Sequence, residues 1–279
     1  MRHIRADEIT AAVERLSIEA NCVLPCSVRT RIEESRKAET WPTAQAVLDR
    51  IAQNYVAAER GMDPICQDTG LACVFLEIGQ DVHIEGDLRL AVDEGVRRGY
   101  ARGYLRKSVV RDPLERVNTG DNTPAMLYTE LTPGENVKIT VAPKGFGSEN
   151  MSRIAMLKPS DGVEGVKRFV VETVELAGPN PCPPIIVGVG IGGTFDKAAL
   201  LAKKALLRDA GEPSLLPYYA ALERELLETV NALGIGPQGF GGRTTALAVQ
   251  IEVLPTHIAG LPCAVNINCH VARHKTEVL

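Results

Sequence analysis

Apolar residues recur at helical spacing along the first quarter of the chain. Ile9, Val13, Leu16 and Ala20 form one stripe behind Asp7, which stands where an N-cap belongs. Val47, Leu48, Ile51 and Tyr55 form a second stripe, which starts at Thr43 after Pro42 and ends at Gly61. Beyond Gly61 the period changes. Cys73–Ile78 and Val82–Ile84 read as short strands, and the segment from Asp87 to about Arg98 as a helix. Val137, Ile139 and Val141 alternate with Lys138 and Thr140, the period of a half-buried strand. Val163, Val166, Val170 and Val174 predict a helix from Ser160 or Asp161. Ile185-Ile186-Val187 predicts a buried strand running into a glycine-rich turn. Phe195 to Arg208 and Leu216 to Leu233 are helical stretches. Leu247–Val253 and Cys263–Cys269 alternate again.

Strands and helices interleave without a strict βαβ rhythm. The expectation is an α+β fold: a mixed β-sheet packed with helices, behind a helical N-terminal region, 1–61. No repeat or low-complexity tract interrupts the sequence, which reads as one domain, 1–279. Hydrophobic residues make up 45% of it and charged residues 24%, enough for a substantial core. The net charge is −4, and no Lys/Arg cluster exceeds two or three residues, so the footprint of nucleic-acid binding is missing. No apolar run approaches the roughly 20 residues of a membrane span. The N-terminus, charged from Arg2 onward, has no signal-peptide core, which implies a reducing, cytoplasmic setting. The seven cysteines therefore read as thiols or metal ligands rather than a disulfide framework, although any one cysteine is more often a small core residue.

Four segments could carry chemistry. Gly188-Val189-Gly190-Ile191-Gly192-Gly193 matches the G-x-G-x-x-G of dinucleotide sites. The acidic residue that should end a second strand about 20 residues on is missing; Ala210-Gly211-Glu212-Pro213 and another helix stand there instead. An NAD-dependent oxidoreductase is thus the weaker alternative. Pro64-Ile65-Cys66-Gln67-Asp68-Thr69-Gly70 gathers a thiol, an amide and a carboxylate in a loop. Pro181-Cys182-Pro183-Pro184 sets a cysteine in a stiff turn. Leu254-Pro255-Thr256-His257 joins Asn266-Ile267-Asn268-Cys269-His270, whose asparagines share one strand face and suggest a polar cavity. No C-x-x-C occurs, so thiols sharing a metal must come from distant parts of the chain. Three thiolates suit iron–sulfur chemistry, leaving one iron to act as a Lewis acid.

Together these segments resemble the α-type part of the class I, iron–sulfur fumarate hydratase and L(+)-tartrate dehydratase family. The resemblance runs from Ile9 to about Lys275. It implies a [4Fe–4S] cluster held by Cys66, Cys182 and Cys269, with Cys263 the competitor for the third position. It implies substrate contacts at Gln67, Asp68, Arg106 and His257, with Asp68 and His257 nearest the chemistry. Gly145 or Gly147, in Lys144-Gly145-Phe146-Gly147-Ser148, would offer amides to a carboxylate. Arg106 suits a bidentate grip on a dicarboxylate. The implied reaction is reversible hydration of fumarate to L-malate, with dehydration of L-tartrate to oxaloacetate as the alternative. Single-chain relatives continue into a swivelling domain that carries further cations and the base. This sequence ends at Leu279, where that domain would begin. The resemblance therefore implies an α subunit that works with a β subunit, as α2β2, on a C4 dicarboxylate.

Overall fold

The computed structural model describes residues 1–279. In chain order the elements are β1 (Arg2–Arg5), α1 (Ala6–Cys22), α2 (Cys26–Ala38), α3 (Pro42–Gly61), β2 (Leu71–Gly79), β3 (Val82–Glu85) and α4 (Leu88–Arg102). Then come β4 (Met126–Thr132), β5 (Val137–Lys144), α5 (Phe146–Glu149), β6 (Arg153–Leu157), α6 (Gly162–Ala177) and β7 (Ile185–Gly193). The last are α7 (Phe195–Ala205), α8 (Pro217–Ala232), β8 (Ala246–Thr256), β9 (Leu261–Asn268) and β10 (Lys275–Val278). The fold is α+β with a helical start, as the patterning predicts. No helix is long and apolar enough to cross a membrane. The chain forms two compact units. One comprises Met1–Leu24, Asn54–Phe146 and Arg273–Leu279, the other Pro25–Gln53 and Gly147–Ala272.

The first unit is built on a sheet of order β10-β5-β2-β4, in which β5 runs antiparallel to β10 and β2, and β2 parallel to β4. Val74, Leu76, Ile139 and Val141 pack with Ile9, Val13 and Leu16 of α1 and Val92 and Val96 of α4. The two helices approach closely at glycines. A Cβ on Gly95 would stand 2.7 Å from the Thr10 carbonyl oxygen, and one on Gly99 2.9 Å from that of Glu14. Asp87 caps α4 by accepting the Leu90 amide at 2.9 Å. In α1 the cap is Arg5 rather than Asp7. The Glu8 carboxylate takes the Arg5 amide, and Asp7 sits in the first turn, where its charge suits the helix N-terminus.

The second unit is built on a sheet of order β6-β9-β7-β8, with β7 parallel to β8 and antiparallel to β9. On one face Val187, Val189, Val249, Val265 and Ile267 meet Val166, Val170 and Val174 of α6 and Leu222, Leu226 and Val230 of α8. Ala198 and Ala202 of α7 pack on Ala264. Helices thus bury this sheet, and β8 and β9 read as largely apolar runs. The glycine-rich turn expected after Val187 is instead strand. Gly188 pairs in register with Gln250 and Asn266. A Cβ there would stand 2.2 Å from the Ala202 carbonyl oxygen, and on Gly190 2.1 Å from that of Ala198. These glycines admit α7 against the sheet. Gly192 (φ 92) and Gly193 (φ 66) end the strand, still paired with Leu254 and Thr256 of β8 across a register shift. With the motif's first glycines in a paired strand, the loop that would cradle a pyrophosphate is not formed there.

Candidate active site

The Cys66–Gly70 loop lies between α3 and β2, and the carbonyls of Asp68, Thr69 and Gly70 meet buried donors. The Asp68 carbonyl accepts from the Arg273 guanidinium. The Tyr100 hydroxyl reaches the Thr69 carbonyl at 2.8 Å and that of Gly70 at 3.0 Å. Asn122 Nδ2 adds a second donor to the Gly70 carbonyl at 3.2 Å. Tyr100, Asn122 and Arg273 are all buried. Burial also pushes the Tyr100 hydroxyl upward, so it remains a donor at neutral pH. Gly70, at φ 77, lies so close to Lys144 that a Cβ would stand 2.8 Å from its backbone.

On the other side of the loop, Gln67 is exposed and Cys66 and Asp68 are half-buried. The Asp68 amide donates to Cys66 Sγ at 3.4 Å. The Asp68 carboxylate is anchored at both oxygens, accepting the Gly70 amide at 3.0 Å and the Phe146 amide at 3.0 Å. Gly145 completes this contact, since a Cβ there would stand 3.2 Å from Asp68 Oδ2. Gly145 is thus the glycine beside Asp68; Gly147 is an exposed residue of the other unit.

Arg106 follows the end of α4 and is fixed through its backbone. Its amide donates to Thr69 Oγ1 at 2.9 Å, and the same hydroxyl donates to its carbonyl at 3.2 Å. The exposed guanidinium has no protein partner.

In the second unit, Cys182 is exposed with its backbone at φ 54, just before β7, and half-buried Cys269 follows β9. The His270 amide and ring both approach the Cys182 carbonyl. Cys263 sits inside β9, fully buried among apolar side chains, and burial pushes its thiol up to about 12. Such a thiol is a poor metal ligand. Cys22 is likewise buried, with its thiol raised, chiefly by burial. His257 lies in the exposed turn after β8, and its Nδ1 accepts the Ala259 amide at 3.2 Å. That bond puts the proton of the neutral ring on Nε2, as a donor. Asn266 does not line an open cavity. It is buried, donating to Glu149 at 2.6 Å and Ser152 at 2.8 Å, while Lys203 pairs with Glu149 at 2.7 Å. Neither unit draws three His, Cys, Asp or Glu side chains together as a metal centre.

The family model for fumarate hydratase (fumerase) matches residues 10–278. The chain belongs to the fumarate hydratase family. Membership makes it a hydro-lyase. The chain is 44% identical over 273 residues to a Methanocaldococcus jannaschii protein named "Putative L(+)-tartrate dehydratase subunit alpha", covering 95% of each. It is 32% identical over 274 residues to "L(+)-tartrate dehydratase subunit alpha" of Escherichia coli strain UTI89, and 31% to that of strain K12, covering 97% of this chain and 90% of each relative. Both names specify an alpha subunit, which implies a partner subunit. In this fumarate hydratase family chain, sequence patterning missed Tyr100, Asn122 and Arg273. The only signal was Gly120-Asp121-Asn122-Thr123-Pro124, a run of turn residues that gives no hint of burial.

Proposed function

We propose that this chain is the α subunit of a [4Fe–4S] hydro-lyase that dehydrates L-tartrate to oxaloacetate. The observation that carries the reading is the Cys66–Gly70 loop: thiol, amide and carboxylate face outward, and a partnerless Arg106 is tied to the same loop by Thr69. The names of the relatives favour L-tartrate. Hydration of fumarate to L-malate is the second reading, favoured by the description of the family.

The donor set fits the cluster. Cys66, Cys182 and Cys269 lie in loops or at a strand end, none in a disulfide, and one receives an amide hydrogen bond at sulfur. We assign these three as the ligands. The bound cluster supplies a Lewis acid that makes hydroxide a better leaving group.

The chain's own residues do the rest. Arg106 grips one substrate carboxylate through its planar fork. Gln67 offers an amide next to the thiol. The anchored Asp68 carboxylate keeps lone pairs with which to orient a hydroxyl or water, and His257 presents Nε2–H as a donor. A β subunit supplies the base and further cations, in an α2β2 assembly. With seven thiols and no disulfide, we place the enzyme in a reducing cytoplasm.

The test is steady-state turnover by the anaerobically prepared complex of both subunits. A higher kcat/KM on L-tartrate than on fumarate is expected. The reverse order assigns the second reading, and turnover of neither substrate refutes both.

A further inference from the structure

Asn122 is fully buried, with its backbone in the left-handed region at φ 63, which Asn tolerates better than most residues. Its Oδ1 accepts the amides of Ser108 at 2.7 Å and Val109 at 3.2 Å, and its Nδ2 donates to the Gly70 carbonyl at 3.2 Å. One carboxamide thus joins the segment carrying Arg106 to the loop carrying Cys66, Gln67 and Asp68. Thr69 makes a second join at Arg106 itself.

Arg106–Ser108 belongs to no helix or strand. Its backbone is held by Thr69 at Arg106, Asn118 at Lys107 and Asn122 at Ser108. The position of the Arg106 guanidinium relative to Asp68 therefore depends on a few side-chain bonds. A carboxamide suits this post because it accepts two amides and donates to a carbonyl at once.

We propose that Asn122, acting with Thr69, is a positioning residue for substrate: it sets Arg106 against the Cys66–Asp68 loop and so controls dicarboxylate binding. This rests on Arg106 being the carboxylate grip. Asn122→Asp is the sharpest probe. It keeps the shape and the oxygen that accepts both amides, and turns the donor facing the Gly70 carbonyl into an acceptor.

The experiment measures KM, kcat, bound iron and unfolding midpoint in the complex with the partner subunit, on L-tartrate and fumarate. Asn122→Asp should raise KM about tenfold, a partial loss of a charge-assisted contact, with iron content and kcat near wild type. In an Arg106→Ala background the same change should leave KM unmoved. Wild-type KM in Asn122→Asp, an additive effect in the double variant, or iron lost in step with the rise in KM would each overturn the proposal. A wild-type KM in Arg106→Ala would instead refute the role of Arg106 itself. If Asn122→Asp does not fold, Thr69 decides: Thr69→Ser should keep KM and Thr69→Val should raise it, and equal values overturn the inference.

Discussion

The His270 amide donates to the Cys182 carbonyl at 3.4 Å, and His270 Nδ1 lies 3.0 Å from the same oxygen. Gln238 fastens the adjoining Pro183 carbonyl through both its amide and its Nε2, each at 2.8 Å. Within the second unit, Cys182 and the residue after Cys269 are therefore held by one group of hydrogen bonds. Cys263 is only six residues from Cys269 in sequence, yet it faces the apolar core.

These environments predict how cysteine variants divide. Cys66→Ser, Cys182→Ser and Cys269→Ser should each lose iron from anaerobically prepared protein. Cys263→Ala should keep its iron and lose about 1 kcal/mol of stability, an ordinary core truncation. Iron lost from Cys263→Ala but kept in Cys269→Ser would move the third ligand into the core and contradict the burial argument.

Gly188→Ala tests the close packing of α7. The added Cβ has nowhere to go but into the Ala202 carbonyl, so a loss of at least about 1–3 kcal/mol is expected in urea unfolding. Gly178→Ala is the contrast: its φ is 52, but its nearest neighbour lies 3.8 Å away, so strain alone should cost less. A neutral Gly188→Ala would mean that helix and strand are not in contact there.

Asp121 gives the pH dependence. Burial raises its carboxyl, but the Thr123 amide and hydroxyl and the Arg97 guanidinium outweigh that and bring it down to about 2. A carboxyl lowered on folding contributes stability above its unfolded value, near 3.9, and that stability is lost as pH falls toward 2. Wild type should therefore exceed Asp121→Asn in unfolding free energy at pH 7, and the gap should close between about pH 4 and pH 2. An equal gap at pH 7 and pH 2 would deny the carboxylate this role.

The elements were largely legible because their signals are local. Asp87 marks the start of α4, and the valines of α6 mark the helix face that meets β7 and β9. Glycines misled because a strand that admits a helix and a turn that admits a phosphate use the same residue; only the Ala198 and Ala202 carbonyls beside Gly190 and Gly188 separate the two. The outward side of the Cys66 loop was legible as chemistry-bearing residue types. Its inward side was not, because Tyr100, Asn122 and Arg273 reach it from 30, 52 and 205 residues away. No sequence pattern encodes such distant partners.

The subunit reading predicts an incomplete enzyme. Assayed alone on L-tartrate, fumarate and L-malate, this chain should show near-zero turnover, and mixing with the partner subunit should restore it. Full turnover by the chain alone would show that its own residues suffice and that no second chain supplies the base.

The proposed [4Fe–4S] cluster on Cys66, Cys182 and Cys269 is tested by iron and acid-labile sulfide analysis of anaerobically purified protein, read with its absorption spectrum. About four irons and four sulfides per chain, with a broad thiolate-to-iron band in the visible, is the predicted result. Stoichiometric zinc with no sulfide would contradict it.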